Sequence, residues 1–513
     1  MRVALADIRS VDRGIITWSL VAILVGALIA LLPLPIAIGA LAVAVLSVAS
    51  LIDVRVALLI LFTAAPLKAL IETEVPGALN WPLDIGQALF VAVVALWAMR
   101  SIAQRRRLDL AWNPVFVPII LLIISVSFSV WTTLSFQRTI KELVIWLAIL
   151  TMSMIVVSIT KRGGIGYVVA ALIVGAVVQM GIGLYEFLGG SGAPHLWILD
   201  YRYFRAFGSF GQPNPFGAFM GLTLPLALGA TFGLATSAWN QYQESRKLKS
   251  VGSRYDSARR NAVIMSGSVL LAGAGSALLG VGLAISWSRG AWIGFAAAFA
   301  VMCVFAPRRR LIGFGLAAVI LLGGVIAIGT GLAPQSIVNR FSDFTRDLTG
   351  FTDVRGQVIS DENYAVLERF AHWQAALAMA TDSPWTGIGF GAYEVAYPRY
   401  PLMNWPFALG HAHNYYLNIL AETGIIGLVG YASAWIVILL LTLRALNRNI
   451  GWRRGVALGL LGVWTHLLVH SVFDKLYVNN LFLHVGAMLG LIGTLLLADK
   501  VSPSASPNDQ TQA

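Results

Sequence analysis

The sequence predicts an all-α polytopic membrane protein with 12–14 transmembrane helices and one large, partly helical outer loop. Three observations carry this reading. The 513-residue chain is 58% hydrophobic and only 12% charged, about half the charge of a soluble protein. Apolar runs near the roughly 20 residues that cross a bilayer recur along it. Its basic residues gather in the short segments between those runs, as they do where orientation in a bilayer is specified. Together with a mean hydropathy of +0.77 these exclude a soluble enzyme, a disordered chain and, even with a formal net charge of +12, a nucleic-acid binder.

The runs fall at 15–33, 36–52, 55–71, 83–99, 114–132, 142–160, 165–188, 214–236, 262–287, 290–306, 311–329, 420–443, 454–472 and 478–497. The first follows Arg2, Arg9 and Arg13 but is too long for a signal core, so it reads as an uncleaved helix. The single cysteine, Cys303, lies inside a run and reads as a small buried hydrophobe. With the N-terminus in the cytoplasm, alternation places 24 of the 36 Lys/Arg on the cytoplasmic side, together with both termini. The chain then divides into N-terminal helices (1–199), central helices (200–329), the outer loop (330–413), C-terminal helices (414–500) and a disordered cytosolic tail (501–513).

The loop is 84 residues long and holds eight Asp/Glu against five Lys/Arg, opposite in sign to the cytoplasmic segments. Loops of such length are functional or disordered, and this one is too rich in Trp, Phe and Tyr for disorder. Asp361-Glu362 opens an expected amphipathic helix with Tyr364, Leu367, Phe370, Ala371 and Leu377 on its apolar side, ending before Ser383-Pro384. All seven histidines (195, 372, 411, 413, 466, 470 and 484) fall on or near this outer side.

Chemistry concentrates where the loop rejoins a span, in His411-Ala412-His413-Asn414-Tyr415. A half-solvated histidine at a helix lip keeps a pKa near neutrality and accepts a proton, although it also serves as a cap or interfacial anchor. Gly424 and Gly427 let the following helix pack closely on a neighbour. Arg289, in Trp287-Ser288-Arg289-Gly290, sits between two apolar runs, where a cation marks function. Arg205, with Arg202 three residues before it, precedes another run; guanidinium forks match phosphate oxygens, and interfacial snorkelling is the other reading of all three arginines. His466, His470 and Asp474 share one helix face, as a zinc site or, better, as a polar stripe inside the bundle. Glu422 and Glu186 are placed to orient a histidine or pair with an arginine. Gly387-Ile388-Gly389-Phe390-Gly391 reads as a turn with close backbone approach. There is no D-x-D pair to hold a metal-bound diphosphate.

His413-Asn414, nine residues, Gly424, two residues and Gly427 resembles the signature of the bacterial O-antigen ligase and O-antigen polymerase family. The Ser288-Arg289-Gly290-Ala291-Trp292 junction, the Gly387–Gly391 stretch and Arg205 before Asn214 are similar to further landmarks, so the resemblance covers roughly 200–445. It implies an inverting, metal-independent and cofactor-free glycosyltransferase of the bacterial inner membrane with a periplasmic site. The donor it implies is a glycan on undecaprenyl diphosphate, and the acceptor a hydroxyl of lipid A core or of a growing polysaccharide. It makes His413, with Asn414 beside it, the catalytic pair. Arg289 and Arg205 hold the donor diphosphate, and Arg202, Ser288, His411 and Glu422 complete the expected substrate contacts. Apolar runs beyond the usual twelve depart from the pattern. A small-anion (inorganic carbon) transporter is the alternative reading, and a flippase a third; ligase, polymerase and protein oligosaccharyltransferase all remain open.

Overall fold

A computed structural model describes residues 53–74, 83–110, 112–161, 163–190, 196–199, 201–247, 253–332, 353–360, 363–402 and 404–497, with a few single positions besides. The expected run at 15–33, most of that at 36–52, the Asp361-Glu362 helix start, His195 and the 501–513 tail lie outside the described residues.

The described helices are α1 (Val54–Glu74), α2 (Ile85–Arg105), α3 (Phe116–Thr132), α4 (Phe136–Thr160), α5 (Ile165–Gly190), α6 (Pro213–Lys247), α7 (Ser253–Ile285), α8 (Arg289–Phe305), α9 (Arg310–Gly329), α10 (Tyr364–Asp382), α11 (Tyr415–Arg448), α12 (Gly451–His470) and α13 (Leu481–Leu497). A two-residue antiparallel ladder joins Trp197–Ile198 to Tyr203–Phe204. The chain is an all-α, multi-pass membrane protein. Among the described residues eight helices are long and apolar enough to cross a bilayer, and α3, α8 and α13 are shorter apolar helices. α9 turns Leu311, Val319, Leu321, Leu322 and Val325 outward, the surface a helix presents to hydrocarbon.

Each expected run between residues 53 and 497 is a helix, and several, α4 and α6 among them, are longer than apolar patterning shows. α4 begins at Phe136 because its polar first turns have partners inside the protein: Arg138 pairs with Glu394 at 3.1 Å and Glu142 with Lys475 at 2.7 Å. α6 runs on to Lys247, ending on Arg246 and Lys247, cations that suit a helix C-terminus. At the centre α6 and α12 meet backbone to backbone, since a Cβ on Gly229 would lie 2.5 Å from the Gly455 carbonyl oxygen and 2.5 Å from the Gly459 Cα. Small residues permit this approach where no hydrophobic drive separates helix from lipid.

The loop helix α10 packs on α11 and ends at Asp382, as its Ser-Pro boundary predicts. Its buried stripe is Val366, Phe370, Ala371, Ala375, Ala376 and Met379, while Tyr364 and Leu377 are exposed. The expected apolar face is thus correct at Phe370 and Ala371, with Leu367 half-buried against the same cluster, and fails at Tyr364 and Leu377. Alanines bury where they allow close approach, and the larger Leu377 does not fit there.

The loop is keyed into α11 at Gly424, whose φ of 64° and ψ of −166° interrupt the helix. Ile425 N–H donates to the Pro384 carbonyl (2.8 Å) and Ile426 N–H to Trp385 (3.2 Å), while Ile388 and Gly389 N–H donate to Ala421 and Glu422 (3.0 and 2.9 Å). The expected close approach at Gly387–Gly391 is present, and the neighbour that Gly424 admits is the loop's own backbone. Gly424→Ala is therefore expected to destabilise this junction by about 2–4 kcal/mol, from a disallowed φ plus overlap with Trp385. Limited proteolysis of the loop, faster in the variant than in the parent, checks this.

Candidate active site

The residues before α11 are fixed by its N-terminus. Asn414 is the N-cap, its Oδ1 accepting from Tyr416 N–H (3.1 Å) and Leu417 N–H (3.2 Å). Tyr415 N–H donates to the Ser471 carbonyl (2.8 Å), and Ala412 N–H to Asn418 Oδ1 (3.1 Å). Between these ties His413 takes a φ of +52°, a left-handed conformation that a non-glycine residue adopts at a cost.

That turn sets two imidazoles in different roles. His411 Nδ1 accepts the His413 backbone N–H at 3.0 Å, so in the neutral ring the hydrogen sits on Nε2, which meets Asp474 Oδ1 at 3.3 Å. His411 is thereby locked in one tautomer. The His413 ring lies 4.4 Å from that of His411 and 5.8 Å from that of His372, and both its nitrogens are buried without a hydrogen-bond partner. It is the ring left with a nitrogen available to a ligand.

The half-solvated, near-neutral histidine expected from the sequence is corrected here. Burial under the loop pushes His413 down to about 3, helped by neighbouring His411 and opposed by Asp474. His411 is likewise pushed down to about 3 by burial, then by Lys475, His372 and Arg369. A lowered pKa keeps the neutral, proton-accepting form present to more acidic pH. The pH profile of kcat/KM, which reports the free enzyme, is accordingly expected to show no acid inflection near 6.5 and to stay flat down to about pH 5.

A second limb starts at α8. Asn214 Oδ1 accepts from Ser288 Oγ at 3.0 Å and from an Arg205 guanidinium nitrogen at 3.5 Å, and Arg205 Nε donates to the Ser286 carbonyl at 3.3 Å. Arg205 is half-buried against the α7–α8 junction, whereas Arg202 is exposed. Ser288 caps α8 and Arg289 is its first residue. The next residue, Gly290, abuts His470: an added Cβ would lie 3.0 Å from the His470 ring. His470 contacts His466 at 3.3 Å, and its carbonyl accepts the Asp474 N–H at 3.1 Å. The path Arg205–Asn214–Ser288–Gly290–His470–Asp474–His411–His413 is thus continuous.

The geometry sorts the remaining residues. Glu422 is buried, and its Oε1 accepts the Tyr393 N–H at 3.1 Å, so it fastens the loop. His466 and His470 form the expected polar stripe within the bundle, enclosed by Gly221, Gly290 and Gly294. His484 stands apart, its Nε2 on the Phe62 carbonyl at 3.0 Å. Sequence reasoning missed Arg369, and saw Asp474 only as a member of the His466 face. The i+4 spacing from His470 places Asp474 on that side, but nothing local shows that it meets His411. The ligand atoms of His411, His413 and Asp474 lie within 4.8 Å of one another, close enough for a divalent ion. The Arg369 cation that acts on both histidines opposes one there.

Residues 274–432 match the family model Wzy_C, described as O-antigen ligase. This segment is similar to O-antigen ligase domains. It begins within α7 and contains Arg289, the whole loop, His411, His413 and the Gly424 notch. Arg205 and Asp474, which complete the path, lie beyond the matched segment on either side. No curated protein matches the chain.

Proposed function

We propose that the protein transfers a glycan from undecaprenyl diphosphate to a hydroxyl of lipid A core, with inversion and without a metal. The observation that carries this is His413: a ring with both nitrogens unpaired, at the end of the contacts that lead from the arginine-bearing start of α8 through His470 and the tautomer-locked His411–Asp474 pair. The acceptor O–H lies against His413, whose nitrogen takes the proton as the oxygen attacks the anomeric carbon. The new carbon–oxygen bond forms opposite the bond to phosphate, which breaks and leaves its electron pair on undecaprenyl diphosphate. Arg289 and Arg205 hold that diphosphate and meet its growing charge. An imidazole at about 3 is a weak base in the empty site. The donor's negative charge beside it favours the imidazolium, so its basicity rises when the donor is bound. Asn414 and His411 position the ring.

Orientation follows from charge. With the basic segments cytoplasmic, the loop and site face the periplasm from the inner membrane. No observation favours the small-anion carrier, for which a base with free nitrogens beneath a docked loop has no use. The test places the full-length protein in nanodiscs with undecaprenyl diphosphate-linked glycan, EDTA and two acceptors, lipid A core and the donor itself. Undiminished release of undecaprenyl diphosphate with mass gained by lipid A core is expected. Mass gained by the donor glycan makes the protein a polymerase, loss of turnover in EDTA overturns metal independence, and no release with either acceptor overturns the transferase.

A further inference from the structure

Near His413 the loop helix α10 contributes a buried polar group that the transfer reaction leaves unused. Arg369 Nε is buried without a hydrogen-bond partner. The guanidinium acts electrostatically on His411, His413, His470 and Asp474, so it belongs to the same cluster. The two carboxylates that act on it are engaged elsewhere: Asp474 with His411 Nε2 (3.3 Å) and the Lys475 N–H (2.8 Å), Glu368 with the Tyr364 hydroxyl. One turn on, His372 meets the Tyr393 hydroxyl through Nδ1 at 2.9 Å, and its Nε2 is also buried without a partner. Buried polar atoms are almost always satisfied, and a group of unsatisfied ones around one permanent cation marks a place where a polar ligand completes the set.

We propose that Arg369, with His372, forms an oxyanion subsite for the acceptor, binding a phosphate or carboxylate on the acceptor glycan beside the hydroxyl that His413 deprotonates. The assignment to the acceptor rests on the proposed transfer reaction and on which element carries each group. From His413, contacts lead to the start of α8 through His411, Asp474 and His470, and to α10 through His372. The diphosphate leaves on the α8 side, so the group met on the α10 side belongs to the attacking molecule. Arg289 and Arg205 would thus read the donor, and Arg369 the acceptor. The paired fork of a guanidinium suits either oxyanion.

The test measures equilibrium binding of lipid A core oligosaccharide to the full-length protein in nanodiscs, without donor, for three ligands: native, phosphatase-treated and carboxyl-reduced. The wild-type protein is expected to bind the native form about 10-fold or more tighter than one of the stripped forms, and that form identifies the anion. In Arg369→Gln the preference disappears while donor affinity is unchanged; in Arg369→Lys, which keeps the charge, part of it remains and shows the fold intact. Equal wild-type binding of all three forms, a preference that survives in Arg369→Gln, or a loss of donor affinity in that variant overturns the subsite alone. Failure of the wild-type protein to bind any of the three overturns lipid A core as the acceptor, and the subsite with it.

Discussion

Arg289→Ala is expected to lower glycan transfer by about 10²–10³-fold and to weaken donor binding by about 10-fold or more. Arg289 is the first residue of α8, and its cap, Ser288, makes no side-chain bond to the helix N-terminus. The first N–H groups of α8 have no intrahelical acceptor, and the positive end of the helix dipole adds to the charge of the guanidinium. A diphosphate placed there meets a fork and a row of donors together. Arg289→Lys keeps the charge and loses the fork, so it is expected to recover only part of the rate. Donor titration and transfer kinetics on the three proteins check this. Donor affinity and rate both unchanged in Arg289→Ala would remove this residue from the donor site.

His413→Ala has the largest expected effect, a loss of about 10²–10⁴-fold in transfer rate. Its distinguishing feature is the split between binding and chemistry. In the proposed reaction His413 meets the acceptor and not the diphosphate, so donor affinity is expected to stay within about twofold of the parent protein. The contrast with Asp474→Asn is informative. Asp474 acts through His411, to which it is bonded at 3.3 Å, and is a positioning residue. Its loss is expected to lower the rate by about 10–100-fold, with the greater part regained in Asp474→Glu.

The helices were legible because about 20 apolar residues must cross a bilayer whatever surrounds them, and the breaks at Ser288 and Ser383-Pro384 interrupt that pattern visibly. His413, Arg289 and Arg205 were legible for a related reason: polar groups at membrane depth are costly, so they stand out. What the sequence concealed depends on partners distant along the chain. The pKa of His413 follows from burial under a loop whose docking is set at Gly424, a position that reads equally well as a site of helix packing. The Asp474–His411 bond joins residues 63 positions apart. Arg369 looks like any surface arginine until the alanine face of α10 turns it toward the histidines. Leu377 was placed on the wrong face because hydrophobicity ranks leucine above alanine, whereas close helix approach ranks them the other way.

The most direct test of the central claim, that His413 takes the acceptor proton, is a single-turnover experiment with donor in nanodiscs and saturating lipid A core. Donor occupancy and release of undecaprenyl diphosphate are read in the same sample for the wild-type protein and for His413→Ala. Equal occupancy with release slowed by at least about 100-fold in the variant is the predicted result. Equal occupancy with release at the wild-type rate would contradict it, and would leave His413 as a structural residue of the loop junction.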